Sequence, residues 1–372
     1  MKDILATLVA FPTISTDLAA NREALDYIDH FLSERGLFVE RFTQNGHASL
    51  VATTQRTKKP HVMLAAHLDV VHGPERLFCL KEHEGKLYGR GTCDMKFAIA
   101  AYLQLIDDLQ EDLSLYDIGI MITADEEIGG YDGTKMLLEA GYIPTVCVLP
   151  DGGDNWALEE SAKGIFWLEF TAAGNAAHAS RPWEGESAIE KMTHFLQILK
   201  AELFDHQTND TNTCNIGTIT GGNAPNQVAD TCKADVDIRF LNGNERTRLL
   251  DRIHELCEAY DVACEVHLDE PAIEIDLSHP LVVAFAQCIE QITGAPLRTM
   301  RSNAGSDARH FMPYDVPVLV TYPPGGGRHG NDEWIDEVGF YRFRDLLQAY
   351  VEQVATLPAK QPKRPRSLTS AE

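Results

Sequence analysis

From residue 61 onward, strand-length apolar runs alternate with amphipathic segments of helix length. Residues 61–66 read as a strand, 95–109 as a helix, 118–123 as a strand, 134–140 as a helix and 145–149 as a strand. That order predicts an α/β fold, a mostly parallel sheet covered by helices, since parallel strands need crossover connections. Before it, a helix over 22–35 places Leu25, Ile28, Phe31 and Leu32 on one face and stops at Gly36.

Residue 164 opens a different pattern. Strands over 165–172, 213–219, 233–240 and 263–268 interleave with helices over 187–203 and 244–260. This β-α-β-β-α-β order predicts a ferredoxin-like unit with one open sheet face. Within it Ala234, Val236, Ile238 and Phe240 alternate inward against Lys233, Asp235, Asp237 and Arg239. The α/β pattern resumes with a helix over 279–293, a strand over 316–322 and a final helix over 338–357.

The expected organisation is an α/β catalytic, metal-binding domain, 1–163 and 272–358, into which an α+β lid and dimerisation domain, 164–271, is inserted. At 372 residues the chain is too long for one ordinary core, which agrees with two domains. Residues 359–372 carry Lys360, Lys363, Arg364 and Arg366 among prolines and serines and read as a disordered tail.

Composition removes several functions. Acidic residues outnumber basic ones 56 to 32, a net charge of −24, and no basic stripe exists to bind nucleic acid. The apolar stretches are too short to span a bilayer, and the opening Met1-Lys2-Asp3-Ile4-Leu5 lacks the apolar core of a signal peptide. The eight cysteines are scattered without a Cys-x-x-Cys pair, which suits reduced thiols and a cytoplasmic location.

His67, Asp94, Glu126, Glu127, Asp151 and His329 each follow a short apolar run that reads as a strand. The carboxyl ends of parallel strands open onto one crevice, so residues distant in sequence converge there. Two imidazoles with several carboxylates suit a metal site, and a spare carboxylate suits its general base. Each residue also has a bland reading. Asp94 could cap the helix that follows, Asp125 to Glu127 could be an exposed acidic turn, and Asp151 a turn residue beside Pro150 and Gly152. Asp69 is placed to hold the second ring nitrogen of His67.

The segments His67-Leu68-Asp69-Val70-Val71, Tyr88-Gly89-Arg90-Gly91-Thr92-Cys93-Asp94-Met95-Lys96, Ala124-Asp125-Glu126-Glu127 and His329-Gly330-Asn331-Asp332-Glu333 resemble those of the co-catalytic zinc aminoacylase and carboxypeptidase family. That family includes acetylornithine deacetylase, succinyl-diaminopimelate desuccinylase, glutamate carboxypeptidase and related dipeptidases. The likeness runs from Leu8 to the last helix.

The resemblance implies two divalent ions, zinc first, with cobalt or manganese as alternatives. His67, Asp94 and Asp151 would hold one, and Asp94, Glu127 and His329 the other, with Glu126 as general base. Many members place Glu near the position of Asp151, while some dipeptidase-like relatives use Asp. A His similar to His178 comes in the family from the small domain of a partner subunit and donates to the oxyanion, which implies a homodimer. Asn226, Arg239 and Ser306 resemble substrate-gripping residues, and a guanidinium such as that of Arg239 suits a free carboxylate.

The implied activity is hydrolysis of an amide bond in N-acyl amino acids or small peptides. A dipeptidase or carboxypeptidase is the alternative within the family. A metal-binding scaffold without activity is the alternative outside it, and a nucleotide-binding loop at Gly89 to Gly91 lacks the Lys-Ser/Thr ending.

Overall fold

A computed structural model describes residues 1–356 and divides the chain into two compact units. The first comprises residues 1–148, 284–294 and the described residues from 325 on; the second comprises 149–283 and 295–324. The expected tail lies outside the described residues.

The first unit opens with α1 (Lys2–Ala10) and α2 (Leu18–Glu34). The Asp17 carboxylate accepts the Ala20 N–H, and this N-cap starts α2 four residues earlier than periodicity alone implied. Next come β1 (Phe38–Gln44) and β2 (His47–Thr53), an antiparallel hairpin turned at Asn45 and Gly46, both at positive φ. Periodicity passed over this hairpin because β1 is largely exposed and polar.

β3 (Val62–His67) is buried throughout and is followed by a short strand, β4 (Lys86–Tyr88), and by α3 (Lys96–Asp108). β5 (Ile118–Thr123) and β6 (Val146–Val148) complete the central strands. β3 pairs in parallel with both β5 and β6, and β2 extends the sheet antiparallel to β5. The continuous apolar run of β5 fits a strand covered on both faces. In place of one helix over 134–140, the chain forms a π-helical turn, Tyr131–Lys135, and a single α-turn, Met136–Glu139.

The second unit contains β7 (Gly164–Ala173), α4 (Ala188–Leu203), β8 (Thr213–Gly221), β9 (Thr231–Phe240), α5 (Gly243–Tyr260) and β10 (Val262–Glu270). Its four-stranded sheet runs β8-β9-β7-β10, all antiparallel, which is the ferredoxin-like arrangement. Phe166, Phe170, Phe195 and Phe240 are buried in its core, and each contributes about 1.5–3 kcal/mol by leaving water. The alternation expected in β9 is present in its burial pattern. The strand expected over 316–322 shortens to Val318–Leu319. Pro317, without an N–H, and the pair Pro323 and Pro324 leave little backbone able to extend a ladder there.

The chain re-enters the first unit within α6 (Pro280–Thr293), where Phe285 meets Tyr350 edge-on at 5.0 Å between ring centroids. β11 (Gly325–Gly326) and β12 (Trp334–Asp336) form a hairpin, β12 pairs with β4, and α7 (Glu337–Val354) follows. Among the described residues no helix is long and apolar enough to cross a membrane.

Candidate metal centre

β3 delivers His67 at its last position, 1 % exposed. Nδ1 lies 2.9 Å from the backbone oxygen of Asp69 and 3.5 Å from its Oδ1. A carbonyl only accepts, so Nδ1 donates to it, and Nε2, turned toward Asp94 Oδ1, is the ring nitrogen placed to ligate an ion. The partner nearest the ring is therefore the Asp69 carbonyl rather than its carboxylate. That carboxylate accepts from Ser15 Oγ at 2.8 Å and from the backbone N–H groups of Glu126 and Glu127, each at 3.2 Å. Asp69 thus fixes the backbone that carries two of the acids.

Asp94 sits on the loop between β4 and α3. The helix cap falls on Met95 without a side-chain cap bond, so the Asp94 carboxylate is not spent on α3. Gly91 permits the turn at φ +83°, where a Cβ would come within 2.8 Å of the Lys96 side chain. The loop delivers the two oxygens of Asp94 to different imidazoles: Oδ1 lies 3.2 Å from His67 Nε2, and Oδ2 lies 3.2 Å from His329 Nε2.

His329 does not follow a parallel strand. It lies in the turn of the β11–β12 hairpin at φ +60°, a conformation a non-glycine residue holds only where its surroundings demand it. Its Nε2 is also 3.1 Å from Glu127 Oε2, and the donor atoms of Asp94, Glu127 and His329 all lie within 4.8 Å of one another. Glu126 Oε2 stands 4.0 Å from His67 Nε2. Asp125, the third acid of that run, turns inward and accepts the N–H groups of Asp132 and Gly133.

The electrostatics match a cation site. Burial alone would raise the Asp94 carboxyl, but hydrogen bonds to His329 and His67 outweigh it and hold it well below the usual carboxylate range. Asp94 and then Glu127 raise His329 to about 10. Three carboxylates and two imidazoles, with one carboxylate spanning both rings, form an N/O donor set suited to a pair of divalent ions. Asp94 has the geometry of the bridge.

Two further buried residues, Arg90 and Glu333, pair at 2.8 Å beside this cluster. Both occur in the segments that carried the family resemblance, but nothing in a one-dimensional pattern marks them as partners. Lys96, fully buried, donates to the carbonyls of Leu8 and Phe11, and burial lowers it to about 7. Cys93 is also buried, which pushes its thiol up to about 12.

The remaining residues named from the sequence belong to the second unit. Asp151 is tethered three residues beyond Val148, the last residue of β6. His178 is exposed at the margin of the ferredoxin-like unit. Its Nδ1 accepts the Ser180 N–H at 3.1 Å, which leaves the proton of a neutral ring on Nε2 as an outward donor. The Asn226 carbonyl accepts the Ala179 N–H at 3.0 Å, joining the loops of His178 and Asn226. The Arg239 fork is engaged by Asp237, at 2.7 and 2.9 Å. Ser306 is buried, and its Oγ accepts the Ala308 N–H.

The family model for peptidase family M20/M25/M40 matches residues 63–353. The chain is 26 % identical over 324 residues to the succinyl-diaminopimelate desuccinylase of Gluconacetobacter diazotrophicus, covering 79 % of this chain and 81 % of that protein. Its fold resembles the aminopeptidase PepT of Bacillus cereus, with a TM-score of 0.80, 21 % identity, and 95 % and 97 % of the two chains covered. A dinuclear metal-binding peptidase of family M20 from Bacillus subtilis aligns with a TM-score of 0.70 at 14 % identity, over 95 % and 98 % of the chains.

Proposed function

The chain belongs to peptidase family M20/M25/M40 and is a metal-dependent hydrolase, and from that premise we propose that it cleaves an amide bond beside a free carboxylate, in N-acyl amino acids or short peptides. The observation that carries this reading is the placement of the two Asp94 oxygens against His67 and His329.

In this reading His67, Asp94 and Asp151 hold one divalent ion and Asp94, Glu127 and His329 the other, zinc first, with cobalt or manganese as alternatives. When bound, such a pair lowers the pKa of a shared water towards neutrality. Glu126 removes the proton from that water and returns it to the leaving amine. Asp69 keeps Glu126 and Glu127 aimed by gripping their backbone N–H groups. His178 of a partner subunit donates its Nε2 proton to the developing oxyanion, so the working form is a homodimer assembled through the ferredoxin-like unit.

Asn226, Arg239 and Ser306 are assigned to substrate binding. A substrate carboxylate would take over the Arg239 fork from Asp237, a like-for-like exchange of bidentate partners. The catalytic domain is proposed as 1–163 with 272–358, and the lid as 164–271. Free cysteines throughout the described residues support a reducing, cytoplasmic setting.

Deacylation is favoured by the desuccinylase relative, and peptide cleavage is the second reading because the resemblance implies Asp, as at Asp151, in some dipeptidase-like relatives. Hydrolysis of a panel of N-acetyl and N-succinyl amino acids against dipeptides and tripeptides separates them. A fast acyl series with slow peptides supports deacylation, and the reverse supports a peptidase. Inactivity on every member by metal-loaded protein contradicts both and leaves the scaffold reading.

A further inference from the structure

The loop that carries Asp94 and the turn that carries His329 are distant in sequence, yet one carboxylate joins them. Glu333 is 1 % exposed. Its Oε1 accepts the N–H groups of Cys93 at 2.9 Å and Asp94 at 3.0 Å. Its Oε2 accepts the Gly91 N–H at 3.0 Å and Arg90 Nη1 at 2.8 Å. The other arm of Arg90, Nη2, donates to the backbone oxygen of His329 at 3.3 Å and to that of His72 at 3.4 Å. The Glu333 backbone oxygen adds a bond from the Gly89 N–H at 3.1 Å.

A buried ion pair by itself is weak evidence for a stabilising role, since well-packed apolar residues often do as well. This pair has a geometry that such residues could not replace. Glu333 sets the backbone of Asp94, and Arg90, oriented by Glu333, sets the backbone of His329. The separation of those two side chains decides whether they can share one ion.

We propose that Glu333, acting through Arg90, is a positioning residue that fixes the separation of Asp94 and His329, and thereby the affinity of the ion they hold with Glu127. This inference rests on the metal-pair reading of the centre. Glu333→Gln places an amide N–H₂ against backbone N–H donors, so the loop must shift. Arg90→Lys retains the charge but loses the fork that spans Glu333 and His329.

The test is titration of metal-free, full-length protein with Co²⁺, followed by calorimetry and by the visible absorption of the bound ion. Wild type is expected to take two equivalents. Glu333→Gln is expected to weaken one ion by about 10–100-fold and the other, which shares only Asp94, by clearly less, with turnover recovering as Co²⁺ is raised. Arg90→Lys is expected to show the same selective loss, and it decides the matter if thermal unfolding shows that Glu333→Gln does not fold. Two ions at wild-type affinity in the folded variants, or equal weakening of both, would overturn the inference and leave the metal pair standing. Wild type taking fewer than two ions would defeat the metal pair itself, and the inference with it.

Discussion

His329 Nε2 lies 3.2 Å from Asp94 Oδ2, on the oxygen opposite the one that faces His67. A side chain reaching two imidazoles through two different oxygens has a role that neither ring can fill alone. Asp94→Asn retains the shape but loses the negative charge and one acceptor oxygen. Metal content per chain, measured by elemental analysis after dialysis, should fall for both ions, and hydrolysis should fall by at least ~100-fold. A variant that retains both ions would show that Asp94 is not the bridge.

Asp69 has a separate role, because its carboxylate meets the backbone of the acids. Asp69→Ala would strand two N–H groups and the Ser15 hydroxyl at a buried site, at a cost of about 1–3 kcal/mol for each group left unsatisfied. Denaturant unfolding should show the loss of stability. The fall in kcat should exceed the fall in metal content, since Glu126 and Glu127 lose their shared anchor. Unchanged kcat in a folded variant would remove Asp69 from the positioning of Glu126.

His178 offers a test of assembly. His178→Ala should lower kcat by about 10²–10³-fold, the loss expected for one oxyanion donor. Mixing it with Glu126→Gln under conditions that exchange subunits should restore part of the activity, because one of the two centres in a mixed dimer regains both groups. No recovery, or a fully active monomer in sedimentation, contradicts a shared site.

The thiols of Cys257 on α5 and Cys264 on β10 act on each other electrostatically. Cys257 lowers the Cys264 thiol against its partial burial, and Cys264, with burial, raises Cys257. A lowered thiol is ionised over a wider range, so at mildly alkaline pH Cys264 should carry more thiolate than an ordinary cysteine, and its advantage should shrink as pH rises above the usual thiol value. Peptide mapping after brief iodoacetamide treatment of a Cys79→Ser background should find Cys264 labelled well before Cys257. Equal labelling would show that the two thiols do not act on each other in solution.

Much of the architecture was legible in periodicity. The strand at 118–123 was placed to the residue, and the β-α-β-β-α-β order emerged because alternating and helical periods differ clearly there. The short strands at Lys86–Tyr88 and Trp334–Asp336 were not legible, because three residues cannot display a period. That gap hid the hairpin that delivers His329. The donor residues themselves could be named from the sequence. The Arg90–Glu333 clamp could not, since two charges 243 positions apart reveal their pairing only once the chain folds. The Asp69 carbonyl as the ring partner of His67 was equally hidden, because every residue has a carbonyl.

The most direct test of the account compares Glu126→Gln with wild type for metal content and turnover on whichever substrate the panel identifies. The account predicts two bound ions per chain in both proteins and near-complete loss of hydrolysis in the variant alone. Glu126→Gln that hydrolyses the substrate at close to the wild-type rate would contradict the assignment of Glu126 as the proton carrier and the mechanism built on it.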